Sequence, residues 1–185
     1  MEKTIRKENR LLKIGTTKKA KYMTGTLILS GIGIALPRIF HILAGADAGA
    51  TFLPMHIAVL IAALVFGGVS SSVVAGSSVI FSYLLTGMPT LARLPYMLIE
   101  LVIYAVILSI LNKKFNSYVS LIATIILGRV FYAGVLFLAT NMFGFQSYGI
   151  SVIQSVIAGL PGIAIQLICV PFIAKAIKKG IHFDD

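Results

Sequence analysis

Long apolar stretches occupy almost the whole chain from residue 22 onward. A helix needs about 20 mostly apolar residues to cross the hydrocarbon core of a bilayer. The stretches show no alternation of apolar and polar residues of the kind expected for a membrane barrel. The sequence therefore predicts an all-α integral membrane protein built as a six-transmembrane-helix bundle. The predicted spans are residues 22–41, 53–68, 71–87, 95–112, 117–140 and 150–177.

The composition excludes a soluble domain. Of the 185 residues, 58% are hydrophobic and only 12% are charged, whereas a soluble domain has about 45–50% apolar and roughly 25% charged residues. A chain with so few charges cannot cover a surface that faces water. We therefore expect a multi-pass membrane protein in contact with the lipid bilayer.

The positions of the basic residues predict the orientation. The net charge is +10, and the first 21 residues are rich in Lys and Arg. Further basic residues lie at the ends of the fourth and sixth apolar stretches, at Lys113, Lys114, Lys175, Lys178 and Lys179. Because Lys and Arg accumulate in cytoplasmic loops, both termini are predicted to be cytoplasmic. This placement favours topology signals over a nucleic-acid partner.

The basic residues also divide the chain. Residues 1–21 are predicted to be a basic cytoplasmic segment, and residues 22–185 a membrane domain that binds substrate. The first apolar stretch lacks a small-residue cleavage site, so we interpret it as a retained helix and not a signal peptide. The single cysteine, Cys169, lies within an apolar stretch and cannot form an intramolecular disulfide.

A few polar residues interrupt the predicted spans. Ionisable groups inside a membrane are costly and usually mark a site or a partner. At about 1.5 Å per helical residue, most of them fall in the outer half of the bundle, and only Gln166 is expected in the inner half. Such convergence predicts a pocket open to the outside. The residues are Arg38, His41, His56, Glu100, Arg129, Gln154 and Gln166.

Two interpretations of these residues stay open. Glu100 and Arg129 either pair only to hold two helices together, because buried ions need partners, or line a solute site; both can hold at once. His56 alone could simply cap a helix or hydrogen-bond to nearby backbone. Arg38 and Arg93 could simply extend to the lipid headgroups.

The sequence motifs do not indicate an enzyme. The sequence contains no HExxH, no GxSxG and no phosphate-loop lysine motif. Two His and one Glu on different spans are a weak metal signal, so no catalytic or metal residues are predicted. The chain is expected to bind no cofactor. Uphill transport would take its energy from a partner or from an ion gradient.

The first span carries a packing motif. Gly31 and Ala35 form a small-xxx-small pair, which lets another helix approach closely, and Thr26 and Ser30 extend the same face. The partner helix could belong to another protein or to this bundle.

Several of these segments resemble the substrate-binding S components of energy-coupling factor (ECF) vitamin transporters. The resemblance rests on "GATFLPMHIAVLIAALVFGG" and "LLTGMPTLARLPYMLIELVIYAVILSIL" within six short-looped helices, and covers the chain from about residue 24. It implies a protein that captures a vitamin outside and docks on a transmembrane T component. That T component carries two ABC ATPase subunits, which use the ATP.

The resemblance also implies roles for particular residues. Family members dock through Ala-xxx-Ala on the first helix, where this chain has Gly31 and Ala35. The loop after the first span acts as a lid, which maps to Gly45, Asp47 and Gly49. Substrate contacts are expected from Phe52, His56, Tyr96, Glu100, Arg129, Tyr132, Asn141 and Gln154.

Sequences of this type are associated with pantothenate, cobalamin and pyrimidine or benzimidazole precursors. Arg offers a bidentate fork that suits a carboxylate, so Arg129 favours pantothenate, a small flexible anion. Glu100 would repel an anion unless Arg129 neutralises it. A rival of another class is a membrane scaffold whose polar residues only connect helices.

Overall fold

The computed structural model describes residues 2–45, 51–91, 93–143 and 157–180, and these ranges contain helices and no strand. The all-helical prediction is therefore confirmed for the described part of the chain. The six helices are α1 (Glu2–Ala44), α2 (Pro54–Phe66), α3 (Gly68–Thr86), α4 (Leu94–Leu111), α5 (Ser117–Phe143) and α6 (Leu160–Gly180).

Five of the described helices are long and apolar enough to cross a membrane. The exception is α2, whose 13 residues extend only about 20 Å against a hydrocarbon core of about 30 Å. The chain is thus a multi-pass helical membrane protein by length and composition. A topology of six spans with cytoplasmic termini stays a prediction.

Helix α2 lies at the centre of the bundle. It packs against α1, α3, α4 and α6, and every side chain from Ala58 to Phe66 is buried. A helix that is apolar on all sides must be enclosed by other helices or by lipid. Here its neighbours enclose it, which explains why so short a helix carries such a continuous apolar sequence.

The ends of α2 are sharply defined. Pro54 occupies the first turn, where the missing N–H costs nothing, and α2 ends at Gly67, whose φ of +84° suits glycine. The third span was predicted to begin at residue 71, whereas α3 begins already at Gly68. The Ser71 hydroxyl donates to the Gly67 carbonyl oxygen at 2.9 Å and so satisfies part of this junction.

Helix α1 differs from the prediction in its length. The helix is continuous over 43 residues, so the basic segment before residue 22 is helical from Glu2 onward. Glycines let α1 approach its neighbours closely: a Cβ at Gly25 would overlap the Phe66 ring, and one at Gly33 would overlap the Ser78 hydroxyl. Small residues thus bring α1 against α2 and α3.

Helix α6 runs beside α2 in the same direction. Near its start, Gly162 meets the backbone of Thr51 and Phe52, just before α2 begins. Farther along, Val170 and Ala174 belong to the same apolar core as α2. Because α6 meets the residues just ahead of α2 at its own start and also packs against α2, the two helices are parallel.

We expect Gly162→Ala to destabilise the fold. The added Cβ would lie 2.7 Å from the Phe52 carbonyl carbon and oxygen and from the Thr51 oxygen, and backbone atoms cannot yield as a flexible side chain does. Overpacking of this kind costs about 1–3 kcal/mol. Thermal unfolding in detergent should show a lower Tm. Gly134→Ala is the matched control, because nothing described lies within 4 Å of its Cβ position; equal Tm values for both variants would contradict the close contact.

Candidate functional site

An ion pair joins α4 and α5 inside the bundle. Arg129 Nη1 donates to Glu100 Oε1 at 3.3 Å, and the two side chains are only 12% and 8% exposed. Charges removed from water in this way are costly unless they are paired. Glu100 and Arg129 are therefore partners, as one interpretation of the sequence requires.

His56 on α2 completes a cluster of three helices. Its Nε2 lies 3.6 Å from Glu100 Oε1, and its side chain is 2% exposed. Neither ring nitrogen has a hydrogen-bond partner, so the imidazole does not serve as a cap or a backbone ligand within the described residues. The ring instead faces the ionic pair. We call Glu100, Arg129 and His56 the ionic cluster.

Tyr104 supports the ionic cluster and was not among the predicted site residues. Its ring packs edge-on against His56, with centroids 5.2 Å apart, and its hydroxyl donates weakly to the Ile125 carbonyl oxygen at 3.5 Å. The ring occupies the space left by Gly128, where a Cβ would overlap it. The sequence carried a signal, because Glu100 and Tyr104 are four residues apart and share a helix face.

Buried nitrogens without partners gather around this cluster. Among the described residues, the buried polar atoms that lack a partner are both ring nitrogens of His56, Arg129 Nε, Gln166 Nε2 and Ser78 Oγ. All but the Ser78 hydroxyl belong to the ionic cluster or to Gln166. A buried polar group without a partner costs about 1–3 kcal/mol. These atoms therefore have hydrogen-bonding capacity for a bound molecule or for water.

The predicted depth of Gln166 is wrong. Gln166 lies one turn beyond Gly162, which meets Thr51 and Phe52, and His56 lies one turn beyond Phe52 on the parallel helix. Gln166 is therefore level with His56 and not in the opposite half of the bundle. The cause is the start of α6 at Leu160, well after residue 150, where the apolar stretch begins.

The aromatic residues predicted for the site lie nearer the end of the bundle at which α2 and α4 begin. Tyr96 precedes Glu100 by one turn on α4, and Tyr132 follows Arg129 by about one turn on α5; both are half-buried. The Phe52 ring packs against Phe40 of α1, with centroids 5.1 Å apart.

Some of the remaining predicted residues are described by the structure, and others lie outside the described residues. Gly45 follows the last residue of α1, has a φ of +84° and is exposed; its role in a lid stays a prediction. Asp47, Gly49 and Gln154 lie outside the described residues, as does the side chain of Asn141.

Arg38 and Arg93 are exposed and are not part of the ionic cluster. His41 is half-buried near the end of α1. Within the described ranges, no group of three His, Cys, Asp or Glu side chains is placed to hold a metal ion.

The predicted docking residues are on an outward face of α1. Gly31 and Ala35 are exposed, and a Cβ at Gly31 would have nothing described within 4 Å. Ser30, predicted to extend the same face, instead points inward, where its hydroxyl accepts a hydrogen bond from Ser77 Oγ at 2.8 Å. The Gly31–Ala35 face is thus not used for packing among the described residues.

Comparison of the chain with protein-family models, with curated proteins and with solved structures finds no match in any of the three.

We expect the Glu100–Arg129 pair to behave as a coupled unit. Glu100→Gln or Arg129→Gln alone leaves an uncompensated buried charge, which typically costs about 3–5 kcal/mol. The double variant removes both charges. Its Tm should therefore fall by less than the sum of the falls in the two single variants. Thermal unfolding of all three variants forms a double-mutant cycle. Exposed Arg38→Gln is the control, and strictly additive losses would show that the pair is not coupled.

Proposed function

We propose that this chain is the substrate-binding membrane subunit, or S component, of an ECF-type importer. In this role it captures a vitamin from outside and delivers it through an energy-coupling module driven by ATP. The observation that carries the proposal is the ionic cluster. It consists of a buried Glu–Arg pair and a buried His whose two ring nitrogens have no hydrogen-bond partner.

Solute binding accounts for the cluster better than a scaffold role does. A scaffold needs polar groups that satisfy one another across helices, as the pair of Glu100 and Arg129 does. It gains nothing from His56, which brings two unpartnered nitrogens into the same place. A binding site, in contrast, keeps hydrogen-bonding groups in reserve for its ligand.

The location of the cluster fits capture from outside. His56 is near the start of α2, and Glu100 is in the second turn of α4. In the topology predicted from the basic residues, these helix ends face the exterior. Tyr96, Tyr132 and Phe52 then line the route by which a solute enters.

Pantothenate is the solute that we favour. The guanidinium of Arg129 suits a carboxylate, and its pairing with Glu100 keeps the site from being strongly repulsive to an anion. Cobalamin and a hydroxymethylpyrimidine or benzimidazole precursor are the alternatives of the same class.

The proposed partners are a transmembrane T component and two ABC ATPase subunits. This chain has no phosphate-loop motif of its own, so ATP would be used by the partner subunits. The exposed Gly31 and Ala35 leave a smooth strip on α1 where a helix of the T component can approach closely.

Titration of the purified chain with a panel of B vitamins and precursors tests the binding role. One member should bind and raise the Tm; if none does, the transporter proposal is wrong. For an anionic vitamin, Arg129→Ala should weaken binding by about 10-fold or more, because a hydrogen bond to a charged group contributes about 1.5–3 kcal/mol. The control Arg38→Ala removes an exposed cation and should have little effect; equal losses would remove Arg129 from the site.

Bulky substitution on α1 tests the docking role. Gly31→Leu should abolish uptake in cells that contain the coupling module and leave vitamin binding by the purified subunit unchanged, since the added side chain meets nothing described within this chain. Gly134→Leu is the control, because Gly134 on α5 is equally open. Loss of binding in Gly31→Leu, or equal loss of uptake in both variants, would contradict docking through this strip.

A further inference from the structure

Gln166 is a polar residue on a helix face that is otherwise apolar. The buried stripe of α6 that faces α2 repeats every four residues and otherwise contains only small or aliphatic side chains. Gln166 is 1% exposed in the middle of that stripe, and its Nε2 has no partner. The stripe consists of Gly162, Gln166, Val170 and Ala174.

A packing role does not explain a glutamine at this position. An apolar side chain would fill the interface without leaving a buried amide nitrogen unsatisfied, which is costly. Buried polar groups without a partner in the protein usually meet water or a ligand. The register of α6 on α2 places Gln166 level with His56, whose ring nitrogens also lack partners.

The groups left unpartnered are mainly donors. Arg129 Nε and the Gln166 amide nitrogen can only donate hydrogen bonds, and the His56 imidazole carries at least one N–H. Arg129 already donates to Oε1 of Glu100. The buried nitrogens that lack partners therefore need further acceptors, and a bound molecule with acceptor oxygens would supply them.

We propose that Gln166 and His56 form the floor of the site and that Gln166 donates a hydrogen bond to an acceptor oxygen of the bound solute. This inference rests on the proposed function, because it specifies which solute chemistry that site takes. Carboxylate, carbonyl and amide oxygens fit the floor. A group that only donates, such as an ammonium, leaves the same nitrogens unpaired.

The test compares stability and solute binding in Gln166→Leu. Because leucine fits the apolar stripe and removes the unsatisfied amide, the Tm in detergent should stay equal or rise. Binding of pantothenate, or of whichever vitamin in the panel binds the wild type, should weaken by about 10- to 100-fold, the loss expected for a hydrogen bond to a charged or strongly polar acceptor. A packing residue would show the opposite pattern, with stability and binding lost in parallel.

Two further variants sharpen the result. Gln166→Glu keeps the shape but replaces the donor by an acceptor, so it should weaken binding at least as much as leucine does. Ser78→Ala removes the unpartnered buried hydroxyl between α1 and α3, away from the site, and should leave binding unchanged.

The outcomes separate the two proposals. If Gln166→Leu and Gln166→Glu both bind the vitamin within about twofold of the wild type, the proposed floor is wrong and the transporter role stands. A parallel loss of Tm and binding in Gln166→Leu has the same meaning. Failure of every vitamin to bind the wild type overturns both.

Discussion

The enclosure of α2 is the constraint on which the rest of the structure depends. Because four helices surround it, a polar side chain on α2 is held inside the bundle and away from lipid. His56 is such a side chain, and it is held against Glu100 and the edge of the Tyr104 ring. The ionic cluster is therefore a consequence of burying a short apolar helix that carries one imidazole at its start.

Glycine places the supports of this cluster. The absence of a side chain at Gly128 makes room for Tyr104 beside Arg129, and the absence of one at Gly162 lets α6 meet the backbone ahead of α2. The second contact sets the register that brings Gln166 level with His56. Close helix approach and polar geometry are thus linked in this bundle, since moving either helix outward would also separate the polar groups.

The sequence predicted the ionic cluster because charges inside apolar stretches are few and conspicuous. Pairing of Glu100 with Arg129 was one of the two interpretations left open, and the two side chains do pair. Tyr104 was missed because a tyrosine in an apolar stretch differs little in hydropathy from its neighbours. The depth of Gln166 was misjudged because the apolar stretch from residue 150 was interpreted as one span, although Gly159 and Pro161 mark the start of α6 within it. Hydropathy locates spans well, but register depends on contacts between helices.

The continuity of α1 has a mechanical consequence. The part that can cross a membrane starts at Lys19, and the preceding residues from Glu2 continue the same helix for roughly 25 Å. An unbroken helix transmits orientation along its length, so a change in the tilt of the membrane part swings the basic part sideways. Conversely, whatever holds the basic part in place limits how far the first span can tilt.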